Sequence, residues 1–157
     1  MDPIDIKVFK DTRCKIIATP DIVYMFTDAL LDNGEPFQNV NHEREYQMLL
    51  EIEWDGKIIR RPLNIKSLED VIQMNPSPKI LHITCHGVNI VWETTYLHIE
   101  EEGTGKKIDL SAQDLEKILN RLLDKKDNGI KLVFVTACHG EDVGKMFAKK
   151  MPFVISV

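Results

Sequence analysis

Two stretches of the sequence decide its fold, Ile80-Leu-His-Ile-Thr-Cys-His-Gly87 and Leu132-Val-Phe-Val-Thr-Ala-Cys-His-Gly140. Each is an apolar run rich in β-branched residues that ends in Cys-His-Gly, which predicts a buried strand followed directly by a turn. Between them, Ser111-Ala-Gln-Asp114 has the spacing of a capping box, and apolar residues then recur with helical period from Leu115 to Leu123. Strands that alternate with helices in this way predict an α/β fold with a mostly parallel sheet.

The rest of the chain continues this alternation. The segment from Ile22 to Leu31 fits both helical and extended spacing, so its structure stays open at this point. The last strand is apolar and nothing follows it, so we expect residues 1–157 to be one α/β domain that lacks its C-terminal part. The other predicted elements are strands at Lys15–Ala18, Lys57–Pro62 and Phe153–Val157, helices at Asn41–Glu53, Ser67–Met74 and Gly140–Lys150, and a hairpin of Thr95–Glu100 with Lys106–Asp109.

The composition limits the classes of protein to which the chain can belong. Hydrophobic residues make up 43% of its 157 residues and the formal net charge is −5, so nucleic acid and acidic membranes are poor partners. No apolar run approaches the ~18 residues of a membrane span, and the N-terminus does not resemble a signal peptide. The three cysteines, Cys14, Cys85 and Cys138, form an odd and sparse set, unlike a disulfide framework. The sequence therefore predicts a cytoplasmic protein.

The two Cys-His-Gly junctions predict where chemistry could occur. In an open parallel sheet, catalytic groups gather in the crevice outside the carboxyl ends of the strands. Cys138 is the better candidate nucleophile, because it precedes the predicted Gly140–Lys150 helix, whose positive end favours a thiolate. His86 is the candidate base, since it comes from the other strand end and can orient independently. The N–H groups of Gly87 and Cys138 are candidates for an oxyanion hole.

Structural roles compete with these interpretations. Free cysteines are among the most buried residue types, so Cys14 and Cys85 are expected in the core. The same holds for His82, which alternates within a strand, whereas His42 and His98 are expected to be exposed.

Two further site chemistries stay open. Zinc would find suitable ligand types in Cys85, His86, Cys138 and His139, but adjacent residues on extended chain diverge and lack the usual ligand spacing. We therefore expect no metal and no cofactor. A reversible disulfide between Cys85 and Cys138 would instead make the protein a thiol redox sensor.

The same junctions resemble the CHAT domain, a caspase-like cysteine protease family in the clan of caspases, metacaspases, gingipains and separase. In that family a His-Gly pair follows one strand, an Ala-Cys pair follows the next, and an apolar strand such as Pro152-Phe-Val-Ile-Ser-Val157 comes after the helix. The segment from Asn41 to Met74 is also similar to the family's upstream elements. The resemblance covers about Lys15 to Val157 and implies a caspase-like three-layer sandwich.

The resemblance also implies an activity. It makes His86 the general base, Cys138 the nucleophile and the amides of Gly87 and Cys138 the oxyanion hole of a cysteine endopeptidase that forms an acyl-enzyme without metal. Protein or peptide substrates would be its partners, together with a regulatory or repeat-containing partner or a missing segment of the same polypeptide. Metacaspase-like relatives hold a basic substrate side chain with an aspartate at the position of Thr136, so basic specificity is not supported by this route. The alternative function is a non-catalytic, caspase-like interaction or regulatory module.

Overall fold

The computed structural model describes residues 19–37, 41–52, 55–90, 94–123 and 129–157. These residues form strands and helices in the alternating order that the sequence predicts. The strands are β1 (Ile22–Phe26), β2 (Leu31–Asp32), β3 (Glu35–Pro36), β4 (Ile58–Pro62), β5 (Ile80–Thr84), β6 (Gly87–Ile90), β7 (Thr94–Glu100), β8 (Lys107–Ser111), β9 (Leu132–Thr136) and β10 (Phe153–Ser156). The helices are α1 (His42–Glu51), α2 (Ile65–Ile72), α3 (Ala112–Leu123) and α4 (Glu141–Ala148).

A five-stranded parallel sheet forms the middle layer, with the strand order β10-β9-β5-β1-β4. Alternate residues of its strands point to opposite faces. One face packs in a common core with α2, α3 and α4, and α1 lies over the other face. This arrangement confirms the predicted α/β fold and is a caspase-like three-layer sandwich. The fully buried residues that the central sheet contributes to this core are Val23, Met25, Leu81, Ile83, Val133 and Val135.

A second, three-stranded antiparallel sheet, β6-β7-β8, begins just after the carboxyl end of β5. Its β7–β8 pair is the predicted hairpin, with Leu97 opposite Leu110. Strand β6 was not predicted, because its four residues begin with a glycine and are too few to show an alternating pattern. None of the helices in the described part of the chain is long and apolar enough to cross a bilayer.

Local capping explains where two of the helices begin. Helix α3 starts at the predicted capping box, where the N–H of Asp114 donates to Oγ of Ser111 over 3.0 Å. The predicted cap of α2 is wrong. The backbone N–H of Ser67 donates to Oδ1 of Asn64 over 2.7 Å, so Asn64 is the N-cap and the helix begins two residues before Ser67.

Other predictions on single elements are settled by the sheet. The ambiguous segment after Asp21 is strand β1, because parallel neighbours on both sides complete its hydrogen bonds. Strand β4 is an edge strand that ends at Pro62, as expected. The predicted Lys15–Ala18 strand lies outside the described residues. Strand β10 occupies the opposite edge, where Phe153 and Ile155 are exposed.

Helix α4 approaches strand β10 unusually closely, and two glycines allow this. A Cβ built on Gly144 would lie 2.9 Å from Cβ of Ser156, and one on Gly140 would lie 2.8 Å from Oγ of Ser156. Side chains larger than hydrogen at these positions would push the helix away from the sheet. The glycines therefore fix the start of α4, and with it the turn that carries Cys138, against the edge of the sheet.

A Gly144→Ala substitution tests this close contact. Replacing glycine by alanine inside a helix normally stabilises by about 1 kcal/mol. Here we expect the free energy of unfolding to fall by about 1–2 kcal/mol, because the added methyl group overpacks against Ser156. Urea unfolding measures the change, and the companion Ser156→Gly variant should relieve the penalty in a double-mutant cycle. A more stable Gly144→Ala protein would contradict the tight contact.

Candidate functional site

The two Cys-His-Gly junctions lie side by side. Strands β5 and β9 are neighbours with Thr84 opposite Thr136, so His86 and Cys138 each stand two residues beyond a paired position. The backbone pairing continues past the strand ends, since the N–H of Cys85 donates to the carbonyl of Thr136 over 3.1 Å.

Gly87 brings the two junctions into close contact. A Cβ built on Gly87 would lie 1.8 Å from the carbonyl oxygen of Cys138, which no side chain can tolerate. The backbone after β5 therefore rests directly on the backbone of the residue that carries the candidate nucleophile. A glycine is required there by close approach of two chains.

The turn between β9 and α4 presents the Cys138 side chain. The N–H of Gly140 donates to the carbonyl of Ala137 over 3.0 Å, which closes a four-residue turn. His139 adopts φ +57°, the left-handed conformation that histidine enters more readily than most residues. Within this turn Cys138 is exposed, so its thiol is accessible to a ligand.

Cys85 has the opposite surroundings. Only 1% of it is exposed, and it belongs to the common core, as expected. Burial, with a smaller contribution from the charge of nearby Cys138, raises the pKa of the Cys85 thiol to about 12. A thiol with so little thiolate is a poor nucleophile near neutral pH. Cys14 lies outside the described residues.

The half-buried ring of His86 lies among aromatic and histidine side chains. The ring of Phe37 meets it edge-on with 5.5 Å between centroids, and the His98 ring lies 6.4 Å away. The expectation that His98 is exposed is wrong. Only 15% of its side chain is accessible, and its Nδ1 lies 2.6 Å from Oδ1 of Asp109. His42 is likewise mostly covered and stacks on Phe26 at 4.4 Å.

The backbone of Gly87 is oriented by the antiparallel sheet. The N–H of His98 donates to the carbonyl of His86 over 2.9 Å, which makes these two residues a hydrogen-bonded pair. Because such pairs alternate along an antiparallel ladder, the next pair, Gly87 with Leu97, is not hydrogen-bonded. The N–H of Gly87 is therefore directed away from β7.

No group of three or more His, Cys, Asp or Glu side chains that could hold a metal ion occurs among the described residues. The zinc alternative needed Cys85 and His139 to converge. Cys85 is buried in the core, whereas His139 is exposed on the turn, so the two side chains do not converge.

A pocket of about 510 Å³ opens beside Cys138 on the α1 side of the sheet. Helix α1 and its N-cap contribute Glu45 and Asn41 to the lining, and sequence reasoning did not identify either as functional. The lining residues are Asn41, Glu45, Thr84, Cys85, Thr136, Ala137, Cys138, His139 and Val157.

The carboxylate of Glu45 ties α1 to three strands of the sheet. Its Oε2 accepts hydrogen bonds from the hydroxyls of Tyr24, at 3.0 Å, and of Thr84. Its Oε1 lies 3.1 Å from Nε2 of His82 and accepts from Oγ1 of Thr136 over 3.2 Å. The side chain is still 27% exposed, toward the pocket that it lines.

These contacts set the ionisation of Glu45. Burial alone would raise the pKa of its carboxyl, but the hydrogen bonds from His82, Thr84 and Tyr24 and the charge of His82 outweigh burial. Together they lower the pKa from 4.5 to about 2. Glu45 is therefore an anion throughout the physiological pH range.

Glu45 escaped sequence reasoning because a helical glutamate is usually solvated. The apolar residues Tyr46, Leu49 and Leu50 alone suggest the buried face of α1, yet Leu50 is 49% exposed. Asn41, Glu45 and Leu49, which are spaced four residues apart, instead face the sheet. The first two line the pocket beside Cys138, and Leu49 lines a neighbouring apolar pocket. That spacing was the available signal, since positions i and i+4 share one helix face.

Comparison with known protein families agrees with this architecture. The model of the CHAT domain family matches residues 12–145, a span that includes both Cys-His-Gly junctions and helix α1. A comparison with curated proteins gives no match.

A Gly87→Ala substitution tests the contact between the junctions. The added methyl group would collide with the carbonyl of Cys138, so one of the two backbones must move. We expect the free energy of unfolding, measured in urea, to fall by about 1–3 kcal/mol. Gly103→Asn is the control, because that glycine has φ +74° in open space and asparagine tolerates the conformation. Unchanged stability of Gly87→Ala would contradict the described contact.

The hydrogen bonds to the Glu45 carboxylate predict a pH-dependent contribution to the free energy of unfolding. A lowered carboxyl pKa stabilises the folded state above the ordinary value of 4.5, and this contribution is lost as the pH falls toward 2. We expect Glu45→Gln to lower the free energy of unfolding by about 1–3 kcal/mol at neutral pH. The difference from the unaltered protein should shrink below about pH 4.5. Glu51→Gln, an exposed position on the same helix, should show no such trend, and a pH-independent difference at Glu45 would refute the assignment.

Proposed function

Because the chain belongs to the CHAT domain family, we propose that it is a cysteine endopeptidase, or the catalytic portion of one, that cleaves protein substrates through Cys138 and His86. The family and the caspase-like sandwich make it a protease-related module. The observation that carries the proposal is the contact of Gly87 with Cys138, because it keeps the residue after His86 against the residue that bears the thiol.

The proposed reaction has two chemical steps. In the first, His86 takes the thiol proton, the sulfur of Cys138 attacks the scissile carbonyl, and His86 returns the proton to the departing amine. In the second, water loses a proton to His86 and attacks the thioester. The C–S bond then breaks, which releases a carboxylic acid and restores the thiol.

Backbone amides complete the proposed mechanism. The oxygen of the scissile carbonyl becomes negatively charged during each attack, and two N–H donors would stabilise it. Gly87 suits this role because its N–H is directed away from β7, and the backbone of Cys138, whose N–H would be the second donor, lies close to it. The exposed thiol and the adjacent 510 Å³ pocket give a substrate access to the site.

A second candidate function is a non-catalytic interaction module. The observation that favours it is the apolar edge of the sheet, where Phe153 and Val157 are 68% and 70% exposed. Such an edge suits a regulatory or repeat-containing partner, or a further segment of the same polypeptide. We propose the cytoplasm as the setting, on the basis of the sparse cysteines.

Substitutions at the two histidines separate the proposed base from its neighbour. We expect His86→Asn and Cys138→Ala each to lower cleavage of a peptide library by at least about a hundredfold, as loss of a catalytic acid–base or nucleophile does. His139→Asn should keep most of the activity, because asparagine also accepts the left-handed conformation of that turn. Cleavage products are identified by mass spectrometry. Activity that survives His86→Asn but not His139→Asn would reject the proposed dyad, whereas partner binding without cleavage would favour the interaction module.

A further inference from the structure

We propose that the pocket beside Cys138 receives the positively charged side chain of a substrate lysine or arginine on the carbonyl side of the cleaved bond, and that Glu45 recognises its charge. The inference rests on the proposed proteolytic function. It assigns the substrate class and a specificity-determining residue to the same site.

The chemistry of the pocket lining favours a cation. Among the described residues that line it, Glu45 carries the fixed charge, and this charge is negative. The remaining polar lining consists of the Asn41 amide, the hydroxyls of Thr84 and Thr136, and the imidazole of His139. An acidic substrate side chain would meet the Glu45 anion at close range, which disfavours binding.

Glu45 is available to a ligand although it is already hydrogen-bonded. About a quarter of its side chain is exposed, and that part faces the pocket. Its donors are three neutral hydroxyls and one imidazole, whose Nε2 lies 3.1 Å away. Three of these four donors are neutral hydroxyls, so a ligand cation would add a charge-assisted hydrogen bond that they do not supply.

The threonines extend the same recognition surface. Thr84 and Thr136 each donate the hydroxyl proton to Glu45, and each oxygen keeps lone pairs that can accept a hydrogen bond. An ammonium or guanidinium group in the pocket would therefore find one anionic acceptor between two neutral ones. A cation with several N–H donors fits such a set.

The position of Glu45 also matches the length of a basic side chain. Thr136, whose Oγ1 lies 3.2 Å from Oε1 of Glu45, precedes Cys138 by two residues, which span at most about 7 Å. Lysine and arginine carry their charges on long flexible stems, so they can span such a distance from a scissile bond held at Cys138. Thr136 itself offers no acidic group, and α1 supplies the carboxylate from a different part of the chain.

Alkylation of Cys138 by peptidyl chloromethyl ketones tests the inference. The reagents are identical except for the residue next to the reactive group, which is arginine, citrulline, norleucine or aspartate. Citrulline has nearly the shape of arginine but no charge, so the comparison isolates the charge without any change in the protein. We expect arginine to react at least about tenfold faster than citrulline, the factor that one hydrogen bond to a charged group supplies. Aspartate should react slowest.

Variants then assign the effect to Glu45. Glu45→Gln should reduce the ratio of the arginine rate to the citrulline rate to about one, whatever its effect on the norleucine rate, since the charge that distinguishes the two reagents is lost. Glu51→Gln makes the same change of net charge on the same helix, and the arginine advantage should survive in it. Thermal melts verify that both variants are folded.

The outcomes separate this inference from the proposed function. Equal rates for arginine and citrulline, or an arginine advantage that persists in folded Glu45→Gln, would overturn the inference. Peptide cleavage that requires Cys138 but shows no preference for basic residues would overturn the inference and leave the proteolytic function standing. An arginine advantage that depends on Glu45, in a protein that hydrolyses no peptide, would support the pocket assignment and reject catalysis. Failure of every reagent to label Cys138 would overturn both.

Discussion

The contact between the backbones of Gly87 and Cys138 is the constraint on which the site depends. It exists because two parallel strands, β5 and β9, end in register and because the first residue beyond His86 has no side chain. Parallel pairing alone would bring the junctions to the same edge of the sheet without fixing their separation. Because Gly87 has no side chain, its backbone can lie in direct contact with the backbone of Cys138. On the other side, Gly140 and Gly144 let the start of α4 lie close to β10, so the turn that carries Cys138 is fixed from two directions.

Helix α1 contributes in a different way. It is alone on its face of the sheet in the described part of the chain, and its contact near the site is polar. Glu45 gathers hydroxyls and an imidazole from β1, β5 and β9, and it thereby connects the strands that carry His86 and Cys138. The same carboxylate that fastens the helix also gives the pocket its charge. In the account proposed above, backbone contacts assemble the reacting groups, and α1 determines which substrates they meet.

Much of the fold was predictable from the sequence, because its pattern is local. Two apolar runs that end in Cys-His-Gly, a capping box at Ser111 and leucines at helical spacing each indicate one element without knowledge of the others. The residues that sequence reasoning missed depend on tertiary contacts. Strand β6 needs β7 as its partner, and His98 is covered by Asp109 and Phe37. Glu45 was missed for the same reason, since its role depends on groups from three strands. The Asn64 cap is an exception, since it is a local contact that competed with the capping-box spacing at Ser67.

The pairing of a thiol with an imidazole across the Gly87 contact is tested most directly by the rate at which iodoacetamide alkylates Cys138. This measurement needs no substrate and reports the nucleophile even in a latent enzyme. At neutral pH we expect Cys138 to react faster than Cys85 and Cys14, and we expect His86→Asn to slow that reaction by about tenfold or more. Equal, slow alkylation of all three cysteines, or a Cys138 rate that does not change in His86→Asn, would contradict the account.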